Sequence, residues 1–162
     1  MHFKRDESNI TMKTLILVRH GHALSCWDAK VSSDRLRPLS QEGQEKIRQS
    51  AQKIAKQKVH PQVIFTSPLV RAVQTADILS TVLKAPVEPE NILNGFASEQ
   101  EVCDFLVSQL ETYDTILAVG HNPNITYAAH LLFKEVRPFA PGSFAVVDMT
   151  DATRPQLIYF GE

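Results

Sequence analysis

The sequence has 162 residues, 43% of them hydrophobic and 22% charged, an ordinary globular composition that excludes a disordered or fibrous chain and leaves little room for two domains. With 17 basic against 18 acidic side chains the formal charge is -1, so neither nucleic acid nor an anionic membrane is an expected partner and any anion site must be local. No apolar run approaches the ~20 residues that span a bilayer, and Cys26 and Cys103 form neither a disulfide framework nor a CxxC pair, which points to a reducing, cytoplasmic compartment.

Residues 1–12 read as a loose extension: MHFKRDESNIT mixes charges and has no apolar block before Met12, so it is not a secretory signal. Residues 13–162 read as a single domain without repeats or linkers. Leu15 to Val18 suits a strand buried on both faces, and it ends in Arg19 and His20. Ser40 is the expected N-cap of a helix that buries Ile47, Ala51, Ile54 and Ala55. Gln62 to Ser67 is a second strand; Ser67 as N-cap and Pro68 as first helical residue then open a helix facing inward through Leu69, Ala72, Ala76, Leu79 and Leu83. Arg71 falls in or just after its first turn.

Pro86 and Pro89 make Ala85 to Ala97 a short strand plus loop. A helix from about Ser98 turns Val102, Phe105, Leu106 and Leu110 inward. Thr115 to Gly120 repeats the opening pattern, an apolar strand that stops at His121. Asn122 and Pro123 read as N-cap and helix start, with Ile125, Ala128, Ala129 and Leu132 buried. SFAVVDM and QLIYF, separated by TDATRP, read as a hairpin at the sheet edge. Strands alternating with helices imply an α/β layer structure.

Arg19, His20, Arg71 and His121 all follow strands, and in open α/β sheets the carboxyl ends of parallel strands converge on a ligand crevice. Burying cationic donors without an acceptor costs several kcal/mol per charge, so an anion is expected among them. A guanidinium fork matches phosphate oxygens two at a time. No cysteine, Asp-Gly pair or Walker-type loop lies at these tips, which leaves histidine as the candidate nucleophile. Neighbouring arginines would keep His20 neutral and able to attack phosphorus, while Arg19 and Arg71 hold oxygens and His121 donates to the developing charge.

Four stretches in order, RHGHA at Arg19 to Ala23, RPLSQEG at Arg37 to Gly43, SPLVRAVQTA at Ser67 to Ala76 and VGHNP at Val119 to Pro123, resemble the histidine phosphatase superfamily, also called phosphoglycerate-mutase-like. The resemblance implies a three-layer αβα sandwich with a mostly parallel sheet, His20 as the phosphorylated nucleophile, Arg19, Arg71 and His121 completing the phosphate pocket, and no metal or organic cofactor. The short chain and the RPLS segment look most like the SixA-type protein phosphohistidine phosphatases. Many relatives carry a carboxylate general acid after the second helix; here Leu93-Asn94-Gly95 falls there, with Glu88, Glu90, Glu99 and Glu101 off register. A positioned acid accelerates loss of an alcohol by about 10²–10⁴-fold, whereas phosphohistidine can lose neutral imidazole without it. Its absence favours a phosphohistidine protein as substrate.

Four further residues are candidate phosphate or substrate contacts: Gly21; His22, which lines the entrance or is simply a loop histidine; Arg37, which reaches substrate or forms a structural ion pair; and Ser143, which borders the pocket or belongs to a turn. Three other readings compete. A metal site from His20, His22 and His121 would place a divalent ion beside two arginines. A phosphate-binding module without turnover would need the arginines but not both histidines. A small phosphorylated metabolite, such as a sugar or nucleotide phosphate, would keep the chemistry and change the substrate.

Overall fold

A computed structural model describes residues 10–134 and 137–162. Most of the expected extension over 1–12 therefore lies outside the described residues, and Ile10 and Met12 are exposed. The elements run β1 (Thr14–Arg19), α1 (Cys26–Ala29), a 3-10 turn (Asp34–Leu36), α2 (Gln41–Lys56), β2 (Val63–Thr66), α3 (Val70–Leu83), β3 (Val87–Pro89), a second 3-10 turn (Asn91–Leu93), α4 (Glu99–Gln109), β4 (Thr115–Gly120), α5 (Asn124–Phe133), β5 (Phe144–Asp148) and β6 (Gln156–Gly161).

The strands form one six-stranded sheet in the order β3-β2-β4-β1-β5-β6. Its first three pairings are parallel and the two involving β5 are antiparallel, so the hairpin adds an antiparallel edge to a parallel core. Side chains alternate across a strand, and β1 divides accordingly. Leu15 and Leu17 join a core with α4 and α5, while Ile16 and Val18 join a core with α2 and α3. All four are fully buried, which is why the strand reads as a continuous apolar run. The outcome is a single-domain three-layer αβα sandwich, as the family resemblance implies, and the α/β layering is that expected from the alternation of strands and helices.

Ser40 caps α2 as expected, its Oγ accepting from the Gly43 amide at 2.9 Å. Ile47, Ala51 and Ile54 are buried, and each isoleucine contributes about 1.5–3 kcal/mol by leaving water. Ala55 is exposed, because the apolar stripe is one position narrower than the expected face. Leu83 is only partly buried at the end of α3, and Phe105 packs edge-on to Phe65 with centroids 5.3 Å apart rather than burying fully.

Two helix starts differ from expectation. α3 begins at Val70 behind Leu69, so Ser67 and Pro68 lie in the approach to the helix, and Ser67 Oγ accepts from the Leu69 amide at 3.2 Å. α5 begins at Asn124 behind Pro123, and Asn122 is not its cap. The Asn122 amide instead donates to the Phe139 carbonyl at 3.2 Å, and its Oδ1 accepts from Thr126 Oγ1 at 2.8 Å. Among the described residues no helix is long and apolar enough to cross a membrane.

Candidate active site

The parallel pairing of β1 with β4 and of β4 with β2 brings three carboxyl strand ends side by side. They open into a cavity of about 830 Å³. Arg19, His20, Arg71 and His121 all line it, so the four residues do converge. The imidazoles of His20 and His121 lie 4.9 Å apart, centroid to centroid. Arg71, the second residue of α3, points its Nε at His20 Nε2 across 3.4 Å.

His20 is held in one tautomer. Its Nδ1 lies 2.7 Å from the Gly21 carbonyl, which can only accept, so the proton sits on Nδ1 and Nε2 presents a lone pair. Burial is the largest influence on its charge and pushes its pKa down to about 4; the Gly21 bond opposes this, and Arg71, Arg19 and Arg37 depress it further. The neutrality expected from arginines alone thus comes first from desolvation. His121 is pushed down to about 3, again chiefly by burial, with the nearby His20 next.

Arg19 donates through Nη1 to the Phe139 carbonyl at 2.7 Å, while its Nε is buried without a partner. Nδ1 of His121 is likewise buried and unpartnered. Buried polar atoms are seldom left unpaired, and these two belong to residues that line one cavity, where an anion with several acceptor oxygens suits the cationic group. His121 Nε2 is occupied by Ser67 Oγ at 2.7 Å.

Asp34 is the residue that sequence reasoning missed. It lines the cavity, and its Oδ2 meets Arg71 Nη2 at 3.1 Å while its Oδ1 meets Arg37 Nη1 at 2.9 Å. Its backbone carbonyl also accepts from Arg71 Nη1 at 2.9 Å. The acceptor expected for the cationic group is therefore supplied in part by the chain itself. Hydrogen bonding from Arg37 holds the Asp34 carboxyl below the usual range. The spacing Asp34 to Arg37 was a visible i,i+3 charge pair, but nothing local revealed Arg71 as its second partner.

The secondary candidates divide. Arg37 lines the cavity, yet two of its donors go to Asp34 and to the Leu24 carbonyl at 2.7 Å. His22 is exposed at the mouth, its Nδ1 bonded to Ser40 Oγ at 2.8 Å. Gly21 donates its amide to Thr75 Oγ1 at 3.1 Å, so what it gives the site is the carbonyl that orients His20. Ser143 is fully buried and is absent from the described cavity wall; its carbonyl accepts from the Arg19 amide at 3.1 Å. Gly43 earns its place in RPLSQEG because a Cβ there would collide with the His22 carbonyl. Among the described residues no group of three or more His, Cys, Asp and Glu side chains is placed to hold a metal.

The wall opposite carries Asn94 and Gly95, and Gly95, at φ +98°, lies against the His121 ring, where a Cβ would sit 3.6 Å away. None of Glu88, Glu90, Glu99 and Glu101 lines the cavity. Residues 15–97 match the model of the histidine phosphatase superfamily, branch 1. The chain belongs to the histidine phosphatase superfamily.

The histidine phosphatase chain is 33% identical over 116 residues to an uncharacterised protein of Picosynechococcus sp., covering 68% of this chain and 67% of that one. Its fold is similar to that of the protein histidine phosphatase SixA complexed with tungstate, with TM-score 0.81, 25% identity and 91% and 95% of the two chains covered. It is also similar to the mycobacterial glucosyl-3-phosphoglycerate phosphatase, with TM-score 0.69, 17% identity and 91% and 97% covered. The family assignment makes this protein a phosphatase.

Proposed function

We propose that this phosphatase carries the phosphoryl group on His20 and removes it from phosphohistidine on a protein. The observation that carries the reading is that neither inner histidine, His20 or His121, nor the carboxylate Asp34 is a proton donor at neutral pH, while the remaining histidine of the described wall, His22, is exposed at the mouth with its Nδ1 on Ser40 Oγ. His20 and His121 are pushed down to about 4 and 3, and the one carboxylate, Asp34, is held ionised by two arginines. The fold likeness to SixA supports the same substrate class.

In the first step the Nε2 lone pair of His20 forms a bond to phosphorus as the substrate P–N bond breaks. The bonding pair leaves on the substrate imidazole, which departs neutral because its other nitrogen already bears a proton. Nδ1–H of His20 stays on the Gly21 carbonyl throughout, so the phosphorylated ring is oriented for the return step. Water then forms a bond to phosphorus as the P–N bond breaks and its pair returns to His20 Nε2; one proton of the water passes to a phosphate oxygen or to solvent, and phosphate leaves. Arg19 and Arg71 bind the equatorial oxygens in both steps.

A second reading has its own support: a cavity of about 830 Å³ is of the size that takes a small phosphomonoester. Rates on a phosphohistidine peptide, a phosphoserine peptide and a sugar phosphate, compared in one assay, separate the two. The proposal expects kcat/KM for the phosphohistidine peptide to exceed both esters by about 10²-fold or more, the value of the missing acid. Faster turnover of the sugar phosphate would establish the small-molecule reading, and binding without turnover would leave only a phosphate-binding module.

A further inference from the structure

We propose that Ser67 is a positioning residue that fixes the tautomer of His121, so that His121 meets the transferring phosphoryl group as a neutral Nδ1–H donor. The inference rests on the reading of the cavity as a phosphoryl site and adds to it a residue that acts through His121 without touching substrate.

The hydrogen-bond inventory leaves two arrangements. Ser67 Oγ is fully buried, lies 2.7 Å from His121 Nε2 and accepts from the Leu69 amide at 3.2 Å. If the Ser67 hydroxyl donates to Nε2, every polar hydrogen around Ser67 is used. His121 then carries its proton on Nδ1, the buried atom that has no protein partner. If instead Nε2–H donates to Ser67 Oγ, the hydroxyl hydrogen has no acceptor among the described contacts. A bare nitrogen lone pair would also remain at the buried Nδ1. The second arrangement leaves two buried groups unpaired, each at the cost of its lost hydration. The first leaves a single unpaired donor, and a phosphoryl oxygen satisfies it.

Neighbouring residues hold the pair in place. Ser67 lies just beyond β2, and its backbone amide donates to the Val119 carbonyl at 3.0 Å, so the strand end that carries Ser67 is pinned to the strand that carries His121. Gly95 runs beside the Cγ–Cδ2 side of the ring, where a side chain at that position would come into contact with His121, its Cβ 3.6 Å from Cδ2. The charge of the imidazole is set by burial and by His20, Arg71, Arg19 and Asp34 around it. A neutral imidazole N–H stabilises charge as a hydrogen-bond donor and does not give up its proton, which matches a leaving group that needs none.

The test combines nitrogen-edited NMR of the histidine rings with kinetics, using tungstate as the oxyanion. In the tungstate-bound wild-type protein the proposal expects His121 to be protonated at Nδ1 and bare at Nε2. Ser67→Ala should shift His121 to the other tautomer or to a mixture. It should also lower kcat by on the order of 10- to 100-fold with KM changed less than threefold, as for a misdirected oxyanion donor. Ser67→Thr, which keeps the hydroxyl, should restore both the tautomer and most of the rate. An Nε2–H tautomer in the tungstate-bound protein would overturn the proposal, as would Ser67→Ala turning over within twofold of wild type. Loss of rate in both variants with the His121 tautomer unchanged would show a packing role and overturn it equally. Failure of tungstate to perturb either His20 or His121 would instead strike the phosphoryl-site reading itself.

Discussion

The Gly21 carbonyl, 2.7 Å from His20 Nδ1, leaves Nε2 as the nitrogen that would attack in the proposed mechanism, and burial keeps the ring neutral at neutral pH. The two effects act at different atoms and can be measured separately. With its pKa lowered, His20 is unprotonated above the depressed value and gains a proton only as the pH falls through it. Titration of the ring by NMR should therefore give a midpoint of about 4, and the nucleophile should be fully available from about pH 5 upward. A midpoint near the ordinary value of 6.5 would mean that the site is open to water and that burial does not set the charge state. Arg71→Ala should leave the midpoint below that value, since the arginines contribute less than desolvation.

The segment between β1 and α2 is where the sequence was hardest to read. It holds a four-residue helix and a 3-10 turn, too short for any apolar period to show, and each is organised by serine caps at Ser25 and Ser33. The turn presents Asp34, whose carboxylate is 60% exposed and bridges Arg71 and Arg37. In the proposed mechanism it would compete with an incoming phosphate for guanidinium hydrogens. Asp34→Asn keeps the backbone carbonyl on Arg71 Nη1 but removes the negative charge and one of the two side-chain acceptors that Arg37 and Arg71 share. Tungstate should then bind about 3- to 10-fold more tightly, measurable by calorimetry; weaker binding would show that the carboxylate aligns the arginines for the anion. By contrast, the long strands and the faces of α2 to α5 were legible because their periodicity is local and their burial complete. Ser67 and Asn122 misled for a physical reason. Each precedes a proline and looks like a cap, but His121 in one case and Thr126 with Phe139 in the other claim the side chain first. Such partners lie in other elements or beyond the turn, and no local pattern predicts them.

At the scale of the whole molecule, the placement of β4 between β1 and β2 assembles the site. Residues 19–20, 71 and 121 are distant in sequence, and this strand order brings their elements to one edge. The two cores on opposite faces of the sheet fix the strands beneath them, so the four side chains start from a rigid platform. Convergence was expected from the strand ends, whereas the carboxylate inside the cluster was not. The proposed mechanism is tested most directly by where the phosphoryl group resides during turnover. Rapid quench with a ³²P-labelled phosphohistidine peptide, followed by peptide mapping, should place an acid-labile, alkali-stable adduct on His20, and His20→Ala should abolish it. Label on any other residue, or full turnover by the His20→Ala protein, would contradict it.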